Sequence, residues 1–285
     1  MLAKVRTFFL TRGIIEADPF LLSPYAPVID VHIDPMQVTD GHESYYLHTS
    51  PEFGLKRLIA RTGLDLYYLG HVFRSKELSR RHCPEFTMVE WYKNNTTEED
   101  FFEEVREFLS LFIPKLPFAI YDYEELYTPW SQEFSIVKKD HPTWDSSTIK
   151  DYIFSEKIQP HLGKNEISIV TNFLEEEAAL AKVENGKARR YEFFYQGLEL
   201  GNGYHELTDT VTHIERMELN NQKRSAMGKS VLPIDPLFIK DLATYPLSEK
   251  AYGIAIGFDR LLMLYKKRTS LQEILPLPWP APRTL

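Results

Sequence analysis

The sequence predicts an α+β protein, and three observations carry the prediction. Between Tyr67 and Tyr92, two segments of strand character flank a basic loop, as expected of a strand–loop–strand unit. The stretch LELGNGYHEL, residues 198–207, contains an Asn-Gly pair, a strong short-range hairpin signal. Apolar residues recur at helical spacing at Leu2, Val5, Phe8 and Phe9, and again at Phe101, Phe102, Val105, Phe108, Leu109 and Phe112.

In chain order, the first stripe stops at Gly13, a suitable residue just past a helix end, and Ile14-Ile15 with Pro19 fits a strand running into a turn. A second helix is expected from Pro51 to about Arg61, ending before Gly63, with Ser50 as a candidate N-cap and Pro51 at the first helical position. From Glu85, a period of two puts Phe86, Met88, Glu90 and Tyr92 on one strand face and Thr87, Val89 and Trp91 on the other. The second face reads as core. The first combines an aromatic plate, a carboxylate and a phenol, suited to an adenine ring beside an ammonium group or to plain strand packing. Glu98 to Phe112 is an amphipathic helix. Residues from about 114 to 190 are aromatic and acidic, match no motif, and are expected as an insertion in one domain spanning residues 1–285.

A two-residue turn at Asn202-Gly203 sets Glu199 opposite Glu206, with Cβ atoms about 4.5–5.5 Å apart. Two carboxylates so placed call for a cation between them, with Mg²⁺ the functional reading and a solvated hairpin the plain one. As a strand, residues 252–257 present Gly253, Ala255 and Gly257 on one nearly bare face, open to a ligand or to close backbone packing. Asp259 then opens a helix with Arg260 in its first turn, beside the positive dipole end. The proline-rich run Leu275 to Pro282 is expected to close the domain as extended chain.

With 285 residues, 43% of them hydrophobic, the chain can bury a sizeable core. The single cysteine, Cys83, excludes an internal disulfide. No charged-then-apolar leader and no apolar run of ~18 residues is visible, so neither export nor membrane spanning is expected, and cytoplasm is the expected location. The formal net charge is −8, yet Arg74, Lys76, Arg80, Arg81 and His82 crowd one loop. A cationic pocket in a weak negative field suits a small polyanion such as ATP better than a long nucleic acid; a solvated charged tip is the plain alternative.

The same loop carries a resemblance. F-R-x-x-E followed by R-H-x-P-E-F-T-M-x-E-W-Y resembles motif 2 of the class II aminoacyl-tRNA synthetases, in the form used by lysyl-tRNA synthetases. Lys4 to Pro19 resembles motif 1, Glu192 to Asp209 the metal-binding strands, and Gly253 to Tyr265 motif 3, in the family's order across residues 4–265. The resemblance implies an antiparallel β-sheet flanked by helices, and a homodimer built on the motif 1 elements. The chain begins within a residue or two of motif 1, so no N-terminal OB-fold domain and no tRNA anticodon binding are expected. It is therefore most similar to the elongation factor P lysyltransferases, lysyl-tRNA synthetase paralogues reduced to the catalytic domain. That family activates (R)-β-lysine with ATP and passes it to a lysine side chain of elongation factor P.

Carried onto this sequence, the resemblance implies that Arg74 contacts the α-phosphate, that His82 and Arg260 reach the outer phosphates, and that adenine lies between Phe86 and Arg260. Ser75, Lys76, Glu77, Cys83, Leu200 and Gly257 complete the implied ATP site, and Glu199 and Glu206 the implied Mg²⁺ site. The pocket for (R)-β-lysine or lysine is implied at Ser50, Pro51, Glu52, Glu90, Tyr92, Glu206 and Ala255. Ser50 stands where the synthetases usually have alanine, Ala255 where they have glycine, and Thr210-Val211-Thr212 lacks an acid that helps hold the lysine ε-ammonium. Volume changes of this size discriminate between substrates by about 1–3 kcal/mol. Lys76 stands where a glutamate usually meets the adenine amino group; lysine accepts no hydrogen bond, so either Glu77 substitutes by a small backbone shift or adenine recognition is weaker. Cys83 replaces an asparagine. Three functions remain open: an elongation factor P lysyltransferase, a truncated ligase activating α-lysine or another amino acid for a different acceptor, and a non-catalytic binding paralogue.

Overall fold

The computed structural model describes residues 1–277 and Trp279. Its α-helices are α1 (Leu2–Leu10), α2 (Glu52–Thr62), α3 (Glu98–Leu109), α4 (Ser131–Asp140), α5 (Ser146–Ile153), α6 (Thr210–Ala226), α7 (Pro236–Thr244) and α8 (Phe258–Tyr265). The main sheet consists of β1 (Ile15–Glu16), β2 (Leu66–Phe73), β3 (Glu85–Lys93), β4 (Phe118–Asp122), β5 (Ile167–Thr171), β6 (Arg190–Tyr195), β7 (Leu198–His205) and β8 (Tyr252–Gly257). Their order is β1-β2-β3-β8-β7-β6-β5-β4. The six central strands are antiparallel, but β1 runs parallel to β2, and β4 parallel to β5. The sheet is therefore mixed at both edges rather than antiparallel throughout.

Local chemistry explains where the helices start and stop. Thr97 caps α3 by accepting the Asp100 N–H, with Glu98, Glu99 and Asp100 in the first turn facing the positive dipole end. Asp209 caps α6, and Asp235 caps α7 ahead of Pro236. α2 begins one residue later than expected, with Pro51 as its N-cap, while the Ser50 hydroxyl accepts the Glu52 N–H at 3.4 Å. Gly63, at φ +68°, ends α2 in the left-handed conformation that glycine adopts without strain. α3 stops at Leu109, three residues early, yet Phe112 stays in the core.

The sheet separates two cores. On one face, α1, α3 and α8 pack Phe9, Phe108 and Leu261 against Val89, Trp91, Phe193 and Ile256. On the other, α2 and α7 bring Phe53, Leu55 and Phe238 against Tyr68, Val72, Met88 and Tyr92. The alternation expected along residues 86–92 is thus realised, with Val89 and Trp91 on one side and Met88 and Tyr92 on the other. Residues 114–190 are more than an insertion: they contribute β4 and β5 to the sheet and a third apolar cluster around Tyr123, Ile149 and Phe173. Of the proline-rich tail, residues 278 and 280–282 lie outside the described residues.

One sequence expectation is overturned. The hairpin turns at Gln196-Gly197 (φ +51° and +72°), with Tyr195 paired to Leu198, while Asn202-Gly203 lies inside β7. Two positive φ values in a two-residue loop are what a tight hairpin needs. The glycines of the GNG run serve close packing instead. A Cβ on Gly201 would stand 2.6 Å from the Ala255 carbonyl oxygen, and one on Gly203 2.6 Å from that of Gly253. Glu199 and Glu206 therefore follow one another along one strand path and are not cross-strand partners.

Candidate active site

The face of the sheet that α2 and α7 leave uncovered forms the floor of a cleft of about 1280 Å³. β3, β7 and β8 supply the floor, and the 74–84 loop closes one end. A β-bulge sets the floor chemistry. Phe193 pairs with Gly201 and Phe194 with Glu199, leaving Leu200 unmatched. The extra residue resets the alternation, so that Glu199, Asn202 and Tyr204 all line the cleft beside Arg190 and Glu192 of β6.

One end of the cleft is cationic. Arg260 donates to the Glu199 carbonyl oxygen at 2.9 Å and to His82 Nε2 at 2.7 Å. A guanidinium only donates, so His82 Nε2 must be the acceptor and its proton sits on Nδ1, 2.9 Å from Ser79 Oγ. Burial, then the Arg260 charge, pushes the His82 pKa down, in keeping with that neutral tautomer. Arg74 is held by its Nε on the Thr49 carbonyl oxygen at 3.3 Å and lies 5.2 Å over the Phe86 ring. Asp259 accepts the Thr87 N–H at 3.0 Å, tying the start of α8 to β3, so that Phe86 and Arg260 border one cavity.

The opposite end is anionic and buried. Lys56, fully enclosed, sits 2.5 Å from Glu52 Oε1 and 2.6 Å from Glu206 Oε2. Glu90, 2% exposed, accepts the Tyr92 hydroxyl through Oε1 at 2.7 Å, while its Oε2 has no partner. Burial, followed by the charge of Glu52, pushes the Glu90 pKa well up. Burial also raises Glu206, to about 7, against the pull of Lys56. β8 must come close here. A Cβ on Gly253 would fall 2.2 Å from the Tyr92 ring and 2.5 Å from Glu206 Oε1, whereas Ala255 lines the cleft. A cavity with guanidiniums and an imidazole at one end and an unsatisfied carboxylate at the other can hold a polyphosphate and an ammonium group together.

A family model for tRNA synthetases class II (D, K and N) matches residues 1–280. The chain belongs to this class II synthetase family. Elongation factor P–(R)-β-lysine ligases from Pasteurella multocida (strain Pm70), Salmonella dublin and Salmonella paratyphi B (strain ATCC BAA-1250 / SPB7) are each 32% identical to it, over 96% of this chain and 91% of the relative.

In this class II chain the cleft gathers Arg74, Glu77, His82, Cys83, Phe86, Glu199, Leu200, Gly257 and Arg260 with Ser50, Glu52, Glu90, Tyr92 and Ala255. Ser75, Lys76, Pro51 and Glu206 do not line it. The Ser75 N–H is taken by the Asp34 carbonyl oxygen, and Lys76, itself at φ +65°, reaches to 3.5 Å from the Asp34 carboxylate. Glu77 therefore borders the cationic end of the cleft in place of Lys76. Lys76→Asn, which tolerates the left-handed backbone, is expected to leave the ATP KM within about twofold, and Glu77→Ala to raise it several-fold. Initial-rate titration of ATP measures both.

The synthetase-like metal pair needs correction. Glu206 is bound up with Lys56, and seven residues of extended chain put it roughly 20 Å along the strand path from Glu199. The acid that shares the Glu199 end of the floor is Glu192, opposite Asn202 on β6. Arg190 holds Glu192 at 2.5 Å, and burial raises Glu192 to about 7, with the charge of Glu199 adding to the rise. No cluster of three or more His, Cys, Asp or Glu suited to a metal exists among the described residues. Two hard carboxylates with room for phosphate oxygens nevertheless fit Mg²⁺, which takes few protein ligands. The seven-residue spacing of Glu192 and Glu199 about a Gln-Gly turn was the available signal. Arg190, Asn202 and Tyr204, and the burial of Lys56, had none.

Proposed function

We infer that the protein is an ATP-dependent, AMP-forming ligase that activates (R)-β-lysine and transfers it to a lysine side chain of elongation factor P. The observation that carries this reading is the open Oε2 of buried Glu90 across one cleft from the Arg74, His82 and Arg260 cluster. The names of the three relatives support the substrate and the acceptor.

In the first half-reaction, Glu90, Glu52 and Tyr92 hold the substrate's ammonium end, and Ser50 and Ala255 shape the space around its chain. The substrate carboxylate attacks the α-phosphorus in line; the bond to the bridging oxygen breaks, and pyrophosphate leaves. Arg74 neutralises charge on the α-phosphoryl group, while Arg260, positioned by neutral His82, steadies the outer phosphates. Glu192 and Glu199 would hold Mg²⁺, which when bound supplies charge neutralisation on the phosphates. In the second half-reaction, a deprotonated acceptor amine attacks the acyl carbon; AMP leaves as the amide forms, and the amine proton is released. No side chain acts as nucleophile.

A homodimer fits the N-terminal surface, where Leu10 is 77% and Phe20 92% exposed beside the two-residue edge strand β1. Phe20→Asp is expected to shift sedimentation from dimer to monomer. No described helix is long and apolar enough to cross a membrane; a cytoplasmic location is part of the proposal.

The test is transfer. Purified protein with ATP, Mg²⁺ and (R)-β-lysine should add one β-lysyl mass to elongation factor P and leave tRNA unacylated. Acylation of tRNA, or of neither acceptor, contradicts the reading.

A further inference from the structure

α2 carries a lysine whose burial no surface-helix pattern explains. Lys56 has no exposed surface, yet it remains charged, because Glu52 and Glu206 oppose the desolvation that would discharge it. Three elements converge on this spot. α2 contributes Glu52 and Lys56; β3 contributes Glu90 and Tyr92; β7 and the residue after it contribute Tyr204 and Glu206. The rings of Tyr92 and Tyr204 lie 5.8 and 5.9 Å from the ammonium. His213 of α6 faces the same group, and burial followed by the Lys56 charge pushes its pKa down to about 3, so it adds no positive charge.

The charge count follows. Three carboxylates, Glu52, Glu90 and Glu206, are grouped with one resident ammonium, so once all three are ionised, as incoming ammonium groups favour, two negative charges are in excess. The open positions are Glu90 Oε2 and Glu206 Oε1, both without a partner. A monoamino acid brings one ammonium and leaves one charge buried and uncompensated, whereas a diamino acid brings two. An uncompensated buried charge is costly, so the count is itself a selection rule.

We propose that Lys56 is a specificity-determining positioning residue: it fixes Glu52 and Glu206 and sets the pocket's charge deficit at two, which only a substrate with two ammonium groups fills. It touches neither the nucleotide nor the reacting carboxylate. Without it the deficit is three. A diammonium substrate would then neutralise the pocket only after one of the crowded carboxylates had taken up a proton.

This inference rests on the ligase reading, and the experiment separates the two. ATP–pyrophosphate exchange is followed over a pH series from about 6 to about 9, with (R)-β-lysine or α-lysine, for the wild type, Lys56→Met, and the double variant Lys56→Met/Glu206→Gln. Methionine keeps the apolar stem without the charge, and the second change restores a deficit of two. Lys56→Met is expected to raise the diamino-acid KM roughly tenfold or more above neutral pH, with partial recovery as pH falls and one carboxylate takes up the proton that restores a deficit of two, and with the ATP KM unmoved. The double variant is expected to regain most of that loss, and it reads the charge count even where the single variant folds poorly. An unchanged amino-acid KM in Lys56→Met, or a double variant impaired as badly as the single one, overturns the proposal while leaving the ligase reading intact. Absence of exchange in the wild type with either diamino acid overturns the ligase reading.

Discussion

Glu90→Gln is expected to lower kcat/KM for the diamino-acid substrate by roughly 10²–10³-fold while leaving the fold at least as stable as the wild type. Glutamine keeps the volume and can still accept the Tyr92 hydroxyl through its amide oxygen, so the packing around β3 survives. What disappears is the negative charge at Oε2, to which no protein group donates a hydrogen bond. In the free protein that charge is unfavourable, as the upward push on the Glu90 pKa shows, so removing it relieves the folded state. A gain of about 1 kcal/mol would raise Tm by roughly 2 °C in a chain of this length. Loss of activity together with unchanged or increased Tm is the signature of a charge kept for a ligand. The pH dependence has a definite sign. Burial keeps Glu90 protonated to higher pH than an ordinary carboxylate, so the wild-type amino-acid KM should fall as pH rises through its titration, and Glu90→Gln should remove that component.

Arg260→Lys should be damaging despite conserving charge. The guanidinium uses two nitrogens on two different elements, the Glu199 carbonyl oxygen and His82 Nε2, which an ammonium on a flexible stem cannot reproduce while also reaching phosphate. Exchange kcat is expected to drop roughly 10²–10³-fold, because preorganised charge at the phosphates is lost. The diamino-acid KM should stay near wild type, since Glu52 and Glu90 lie at the other end of the cleft, with Glu206 buried behind them on Lys56. A large rise in that KM with intact kcat would place Arg260 at the wrong end. Steady-state exchange kinetics separate the two outcomes.

The two strands that carry most of the chemistry were legible because period-two alternation maps directly onto faces. Phe86, Met88, Glu90 and Tyr92 share the cleft wall, and Arg260 sits in the first turn of α8, where the Asp259 position suggested. The hairpin was not legible. Asn-Gly is the stronger local turn signal, but Gly201 and Gly203 are needed where β7 abuts β8, and Gln196-Gly197 takes the turn. That shift, together with the bulge at Leu200, replaces Glu206 by Glu192 as the companion of Glu199. Lys56 escaped notice for a related reason: helix periodicity assigns a lysine to the surface, and the partners that enclose it come from segments up to 150 residues away. The parallel edge pairs and the sheet strands within residues 114–190 are long-range choices with no local pattern.

Amino-acid-dependent ATP–pyrophosphate exchange with (R)-β-lysine, α-lysine and norleucine tests the central claim most directly, because norleucine keeps the six-carbon chain and lacks the second ammonium. The account predicts exchange with the diamino acids, strongest with (R)-β-lysine, and essentially none with norleucine. Comparable exchange with norleucine, or exchange that needs no amino acid, would contradict it.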